Sequence, residues 1–318
     1  WIKKRSGTGQ HVLADILRSD GTYPKTLNSN ATNAEDVNSD GKMVRSFDVD
    51  GFTLGDSSAG QGDVNFTSGG TYVAWNWKAG GTGVSNTDGT ITSTVSANVD
   101  AGFSIVSYTG TGSAATVGHG LSVTPEMLIV KGRTSASGWK VWHTDLTAGG
   151  AYVMELYLTG AEYSNASPFN STEPASSVFT VANFDYGDTN GTGKNYIAYA
   201  FHSVESYSKV GSYTGNGSAT DGTFVNLGFR PAYVMIKRSD ATDNWTIMDN
   251  RRDSYNDAQG TVLEADTSSA DSRDVAWQVD DVANGFKLRS THGQINASGG
   301  TYIYLAFAES PFKHSNAR

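Results

Sequence analysis

Asp36, Asn38 and Asp40 stand at alternate positions in the run Asp-Val-Asn-Ser-Asp, with Gly41 next. Oxygen-bearing side chains at alternate positions before a glycine bend can converge on a calcium ion, which marks these three as the candidate metal ligands. A helical calcium loop carries its bidentate carboxylate at the twelfth position, where this chain has Phe47. Asp48 or Asp50 would have to serve instead, and an acidic surface turn is the plainer reading of the same residues.

Other chemistries have less to work with. The six histidines, His11, His119, His143, His202, His292 and His314, form no H-x-x-x-H or H-E-x-x-H pair, so no zinc site is written locally. The absence of cysteine excludes thiol nucleophiles, thiolate metal sites and disulfides. No Gly-x-Ser-x-Gly elbow occurs. Gly110-Thr-Gly-Ser-Ala-Ala115 imitates a dinucleotide fingerprint, but the residues that follow cannot sustain the required helix, so a glycine turn closing a strand is expected there. Among 32 acids, chance pairs are plentiful, and a glycosidase needs two held across a cleft. Flat aromatic faces remain. Trp139, Trp142 and Trp245, with His143, Asp249 and Asn296 on neighbouring strand ends and turns, make the candidate ligand-binding set. Against it stands the bland reading that a tryptophan in a strand is core, because aromatic side chains dominate buried area.

These residues sit on strands. Glycine is frequent at 37 of 318 residues, proline rare at 6, and turn signals such as Ser-Asp-Gly, Asn-Ser-Asp-Gly and Ser-Gly-Gly recur every few strand lengths. Period-two runs such as Thr301–Ala308 and short apolar runs such as Met127–Val130 complete an all-β pattern. A net charge of −9 without a concentrated basic face argues against nucleic acid as a partner. No apolar run reaches the ~20 residues of a membrane helix, and membrane insertion is not expected.

The chain also repeats itself. Ser107–Ser113 and Ser212–Ser218 agree at six of seven positions, and Lys131, Trp139 and Lys194–Ser203 find counterparts in Lys237, Trp245 and Gly300–Ser310. A shortened third copy opens the chain: Ile2 falls on Ile236, Asp15 on Asp249, Arg18 on Arg252, and Ser68–Ala79 on Ser298–Glu309. Self-similarity at this period predicts tandem β-sandwich, jelly-roll-like repeats with the first copy truncated. The expected division is a partial repeat over 1–80, a Ser/Thr/Asn-rich linker over 81–102, a second repeat over 103–205, and a third with a C-terminal tail over 206–318. The first copy lacks the segment equivalent to Gly211–Tyr233. Its opening strand is therefore expected from upstream sequence of a longer polypeptide or from a neighbouring chain, since an unpaired edge is a liability.

The segments GFSIVSYTGTGSAATVGHGLSVTPEMLIVKGR, DGFTLG with GGTYVAWNWKA, and YIYLAFAESPFKHSNAR resemble a repeat of virion proteins of marine tailed phages, including those of cyanobacteria. The resemblance spans nearly the whole chain. It implies a non-enzymatic protein on the virion surface, a tail fibre or capsid fibre, without a cofactor unless the calcium turn is real. Its partners would be other virion proteins, copies of itself in a homo-oligomer such as a trimer, and a host surface glycan or protein. A purely architectural decoration module and a glycan-degrading tailspike-type hydrolase are the alternatives.

Overall fold

The structure, a computed structural model, describes residues 1–19, 21–36, 40–55, 64–65, 69–147, 149–182, 189–253 and 260–310. Among the described residues strand makes up 44% and helix 3%, in several antiparallel sheets that form no barrel, so the fold is all-β and sandwich-like.

Unit one opens with β1 (Ile2–Lys4), β2 (His11–Ser19) and β3 (Pro24–Asn28). A hairpin of β4 (Val44–Phe47) and β5 (Phe52–Leu54) follows, then β6 (Tyr72–Ala74). Among the described residues its main sheet runs β3-β2-β1-β6.

The stretch 81–102, expected as a linker, instead carries β7 (Val84–Asn86) and β8 (Ser93–Asn98). The latter pairs with β9 (Phe103–Thr109) from Thr94↔Ser107 to Asn98↔Phe103. One apolar foot suffices to anchor this polar strand: Val95 is buried in unit two's own core, and the Ser93 hydroxyl donates to the Gly118 carbonyl at 2.8 Å.

Unit two continues through β10 (Ala115–Gly118), β11 (Met127–Gly132), β12 (Trp139–His143), β13 (Tyr152–Glu155), β14 (Tyr163–Ser164), β15 (Val178–Val181) and β16 (Asn195–Phe201). Its main sheet is ordered β14-β13-β12-β11-β16-β9-β8-β7, with β10 and β15 paired separately. Unit three holds β17 (Ser208–Thr214), β18 (Phe224–Asn226), β19 (Pro231–Arg238), β20 (Thr246–Asp249) and β21 (Thr261–Glu264). It closes with β22 (Ser272–Arg273), β23 (Val279–Val282), β24 (Gly285–Leu288) and β25 (Thr301–Ala308). Its sheets are β17-β25-β19-β20-β21-β22 and β18-β24-β23.

One order therefore occurs three times: β3-β2-β1-β6, β13-β12-β11-β16 and β21-β20-β19-β25. Beyond β16 and β25 lie the opening strands β9 and β17; beyond β6 no strand is paired among the described residues. The glycines of the repeated Ser-Tyr-Thr-Gly end those opening strands for a steric reason. A Cβ on Gly110 would stand 2.4 Å from the Gly191 carbonyl oxygen, and one on Gly215 would stand 2.4 Å from that of Ala297. The turn at Gly110 is thus a close backbone approach, as expected, with no helix behind it.

Each main sheet is covered on both faces, which is why β11 and β19 read as unbroken apolar runs. Leu128 and Val130 point into unit two's own core, whereas Met127 and Ile129 point into a core shared by all three units. Val234 and Ile236 face unit three's own core, and Tyr233 and Met235 the shared one. Leu13, Leu27 and Trp75 contribute from unit one.

The sharing is cyclic. The amide of Ser137 donates to Thr32 O, that of Asp243 to Thr159 O, and that of Gly9 to Ser268 O, each at 2.9 Å. Unit two thereby grips unit one, unit three grips unit two, and unit one grips unit three. The three units close into a ring.

Candidate functional site

Three lysines tie the ring. Lys3, Lys131 and Lys237 end the apolar part of β1, β11 and β19, and each is fully buried. Lys131 Nζ donates to Gly132 O at 2.7 Å and across the interface to Thr32 O at 3.2 Å. Lys237 Nζ donates to Arg238 O and to Thr159 O, both at 3.0 Å. Lys3 Nζ donates to Lys4 O and Ser269 O at 2.7 Å, with Ser268 O at 3.5 Å. Thr32, Thr159 and Ser268 are the same carbonyls that receive the inter-unit amides. A buried ammonium is tolerable only where carbonyl dipoles replace its water. Burial still lowers Lys237 to about 8, against the opposing pull of Asp266 and Asp243.

A second set of contacts comes from indoles. Trp139 Nε1 of unit two donates to Asn28 O of unit one at 2.9 Å and to Ala31 O at 3.1 Å. Trp245 Nε1 of unit three donates to Glu155 O of unit two at 2.9 Å. His11 occupies the same place in unit one, where burial holds its pKa well below the ordinary value and the Glu264 carbonyl of unit three opposes that effect.

A third set lies at the ends of β2, β12 and β20. Arg18 Nε meets Asp15 Oδ2 at 2.5 Å and its Nη2 donates to Leu13 O at 3.0 Å. Arg252 Nε meets Asp249 Oδ2 at 2.6 Å and its Nη2 donates to Ile247 O at 2.8 Å. Both carboxylates accept a donor from the next unit: the Tyr199 hydroxyl reaches Asp15 Oδ2 at 2.8 Å, and Trp75 Nε1 reaches Asp249 Oδ2 at 3.1 Å. In unit two the pair is replaced by His143 and Leu146. The counterpart of Tyr199 and Trp75 there is Leu305, which has no donor to give, so a carboxylate would be stranded. A neutral imidazole fits instead, its Nε2 3.5 Å from Tyr304 O, and burial lowers His143 to about 4.

The sequence-predicted ligand set is thus placed in the interior. Trp139, Trp142, His143, Trp245, Asp249 and Asn296 are all at most 4% exposed. Trp139, His143, Trp245 and Asp249 hold the units together, and Trp142 packs inside unit two. Asn296 is a latch beneath the loop after β17, accepting from the Asn216 amide at 2.9 Å and donating to Ser290 O at 2.7 Å. A surface ligand platform would need these side chains in water, and the structure uses them elsewhere. Of the candidate calcium ligands, Asp36 is tied to Thr26 by two backbone hydrogen bonds and Asp40 is paired with Lys42 at 2.8 Å. Asn38 lies outside the described residues. Among the described residues no group of three His, Cys, Asp or Glu is gathered at one place.

A cavity of about 990 Å³ lies where unit one meets the shared core. Its wall contains Trp1, Trp75 and Trp77 of unit one, Phe103, Ile105, Tyr199 and Phe201 of unit two, and Tyr233, Met235 and Leu305 of unit three. The rings meet edge to face, with Trp77 5.5 Å from Tyr233 and Trp75 5.6 Å from it. Asp48, Asp50, Asp100 and Lys78 also line it, as do the exposed Ile16, Phe47, Val49 and Val99. Its volume is at the upper end of ordinary ligand pockets, which run ~300–1,000 Å³. The Tyr233 hydroxyl, buried with its residue, has no hydrogen-bond partner among the described residues, and burial pushes its pKa up. Sequence reading passed over this cavity because its wall is drawn from residues of three units. It also passed over the three lysines, although their recurrence at one place in every copy was the available signal.

No curated protein and no solved structure matches the chain. A family model described as a domain of unknown function, DUF7483, matches residues 1–311, and the chain belongs to that family.

Proposed function

We propose that the chain is a non-enzymatic module of a virion surface appendage, a tail fibre or capsid fibre, that assembles with other virion proteins and copies of itself and engages a host surface glycan or protein. The observation that carries this reading is where the chemistry-bearing side chains are used. Trp139, Trp245, the three buried lysines, His143 and the Asp–Arg pairs, which could have built a catalyst or a sugar platform, are spent on joining three units. Such a closed, doubly covered ring suits a load-bearing part. The place left for a partner is the aromatic cavity, where rings and the carboxylates of Asp48, Asp50 and Asp100 come together.

Gold-labelled antibody against the chain should decorate the outside of intact particles, on a fibre or on the head surface. Particles that are unlabelled while their disrupted fractions lack the protein would contradict the assignment. A glycan array probed with the parent chain separates host contact from pure architecture: saturable signal supports engagement, and silence supports a decoration module. New reducing ends released from host polysaccharide would favour the hydrolase alternative.

A further inference from the structure

We propose that the cavity beside Trp75–Trp77 is the seat of an added extended peptide strand with apolar side chains on its inward face, running antiparallel to the end of β6 in the place that β9 and β17 fill in the other units. The inference deepens the assembly reading above by naming the partner's chemistry.

The two complete units display the occupant. Along β16, Tyr199, Ala200 and Phe201 are paired with Ile105, Ser104 and Phe103. Along β25, Leu305 and Phe307 are paired with Val210 and Ser208. Trp75, Asn76 and Trp77 hold the corresponding positions in unit one. The pairing of Trp75 with Trp1 through both backbone groups turns the backbone groups of Asn76 to the opposite side, away from β1. The strand is also cut short. β6 has three residues, whereas β16 has seven and β25 eight.

What the opening strands put into the shared core is what the cavity lacks. Phe103, Ile105 and Val210 face inward from β9 and β17, and the space their unit-one counterparts would fill is open. Of the seven large hydrophobic side chains exposed among the described residues, Ile16, Phe47, Val49 and Val99 line this one cavity. An exposed apolar rim of that kind marks a docking site. The orphan Tyr233 hydroxyl in the wall is a ready donor for a backbone carbonyl. A free edge with alternating pockets is the requirement for strand addition, in which main-chain hydrogen bonds bind and inward side chains select.

The test titrates the 318-residue chain with a synthetic peptide of its own opening-strand sequence, Gly102–Gly112, followed by tryptophan fluorescence and calorimetry. Saturable 1:1 binding is expected. By the register of β9, the amides of Ser104 and Val106 face the receiving strand and those of Ile105 and Ser107 face away. N-methylation at the first pair is expected to weaken binding at least about tenfold, and at the second pair by less than about threefold. Tyr233→Phe is expected to weaken it several-fold with an unchanged or higher melting temperature. No saturable binding, equal loss from both methylation patterns, a Tyr233→Phe variant that binds as tightly as the parent, or displacement of the peptide by an oligosaccharide would each overturn the proposal. None of these results touches the particle-labelling test, so the two readings fail separately.

Discussion

Units one and three carry the same buried corner and differ in what surrounds it. Arg18–Asp15 and Arg252–Asp249 have nearly identical distances, reach equivalent carbonyls, and accept a donor from the next unit. Around them, unit three is finished: β17 flanks β25 from Ser208 to Thr214, and a three-stranded outer sheet closes its second face. Among the described residues unit one has β6 at its sheet edge, and a cavity lies beyond it. The contacts between units are thus kept where the completeness of a unit is not. The inter-unit contacts belong to the ring closure, and the binding proposed above belongs to the place where a unit is left open.

Several substitutions break or sharpen that comparison. The largest effect is expected from Trp245→Ala, which empties a buried site and removes an inter-unit hydrogen bond. It should cost about 3–5 kcal/mol in urea unfolding. Trp77→Ala, on the open wall of unit one, should cost no more than about 2 kcal/mol. Equal losses would mean that the cavity wall is as load-bearing as the interlock.

Next come the two corners themselves. Asp249→Ala leaves the Arg252 guanidinium buried without its carboxylate and should cost about 3–5 kcal/mol. Asp15→Ala should cost measurably less, because Arg18 keeps a second carboxylate, Glu35, at 4.0 Å. A reversed order would show that the inter-unit donors, Tyr199 and Trp75, outweigh the charge pairs.

The histidine corner predicts a pH dependence. His143 binds a proton near its ordinary value of 6.5 when unfolded and only near 4 when folded, so the unfolded state holds more protons in that window. Its contribution is present above about 6.5 and is lost as pH falls toward 4, by about 3 kcal/mol in all. His143→Gln should flatten this limb. Asp266, raised by burial to about 6, and Asp281, raised by burial to about 7, act in the opposite direction on acidification, so the difference between parent and variant is the quantity to measure.

The smallest effect is expected at a lysine. Lys237→Met should stay within about 1 kcal/mol of the parent at neutral pH, since burying the ammonium is itself costly. It should also abolish the rise in stability between about pH 8 and 10.5 that follows when Lys237 is relieved of its proton in the folded state.

Much of this was legible in the sequence. Setting Ile2 on Ile236 and Asp15 on Asp249 placed residues that the structure uses in equivalent contacts, and alternation with glycine turns correctly indicated an all-β fold. The stretch 81–102 was misread because β8 is built from serine and threonine with one buried valine, a pattern indistinguishable from a polar linker. The shared core was hidden for a related reason. An unbroken run such as Met-Leu-Ile-Val says that both faces are covered, and it does not say whether the second cover is the unit's own sheet or its neighbour. Lysines at 3, 131 and 237 look like strand-ending surface charges until the carbonyls of Thr32, Thr159 and Ser268 are brought over them. The tryptophans of the candidate ligand set were also read as core, and the structure buries them together with His143, Asp249 and Asn296.

Native-state hydrogen exchange across a urea series tests the ring most directly, read on β2, β12 and β20, the equivalent strands of the three units. The account predicts that their protected amides converge on one opening free energy and one denaturant dependence, because no unit can open without exposing the shared core. Exchange of β2 through a separate, lower-energy opening, with β12 and β20 still protected, would contradict it.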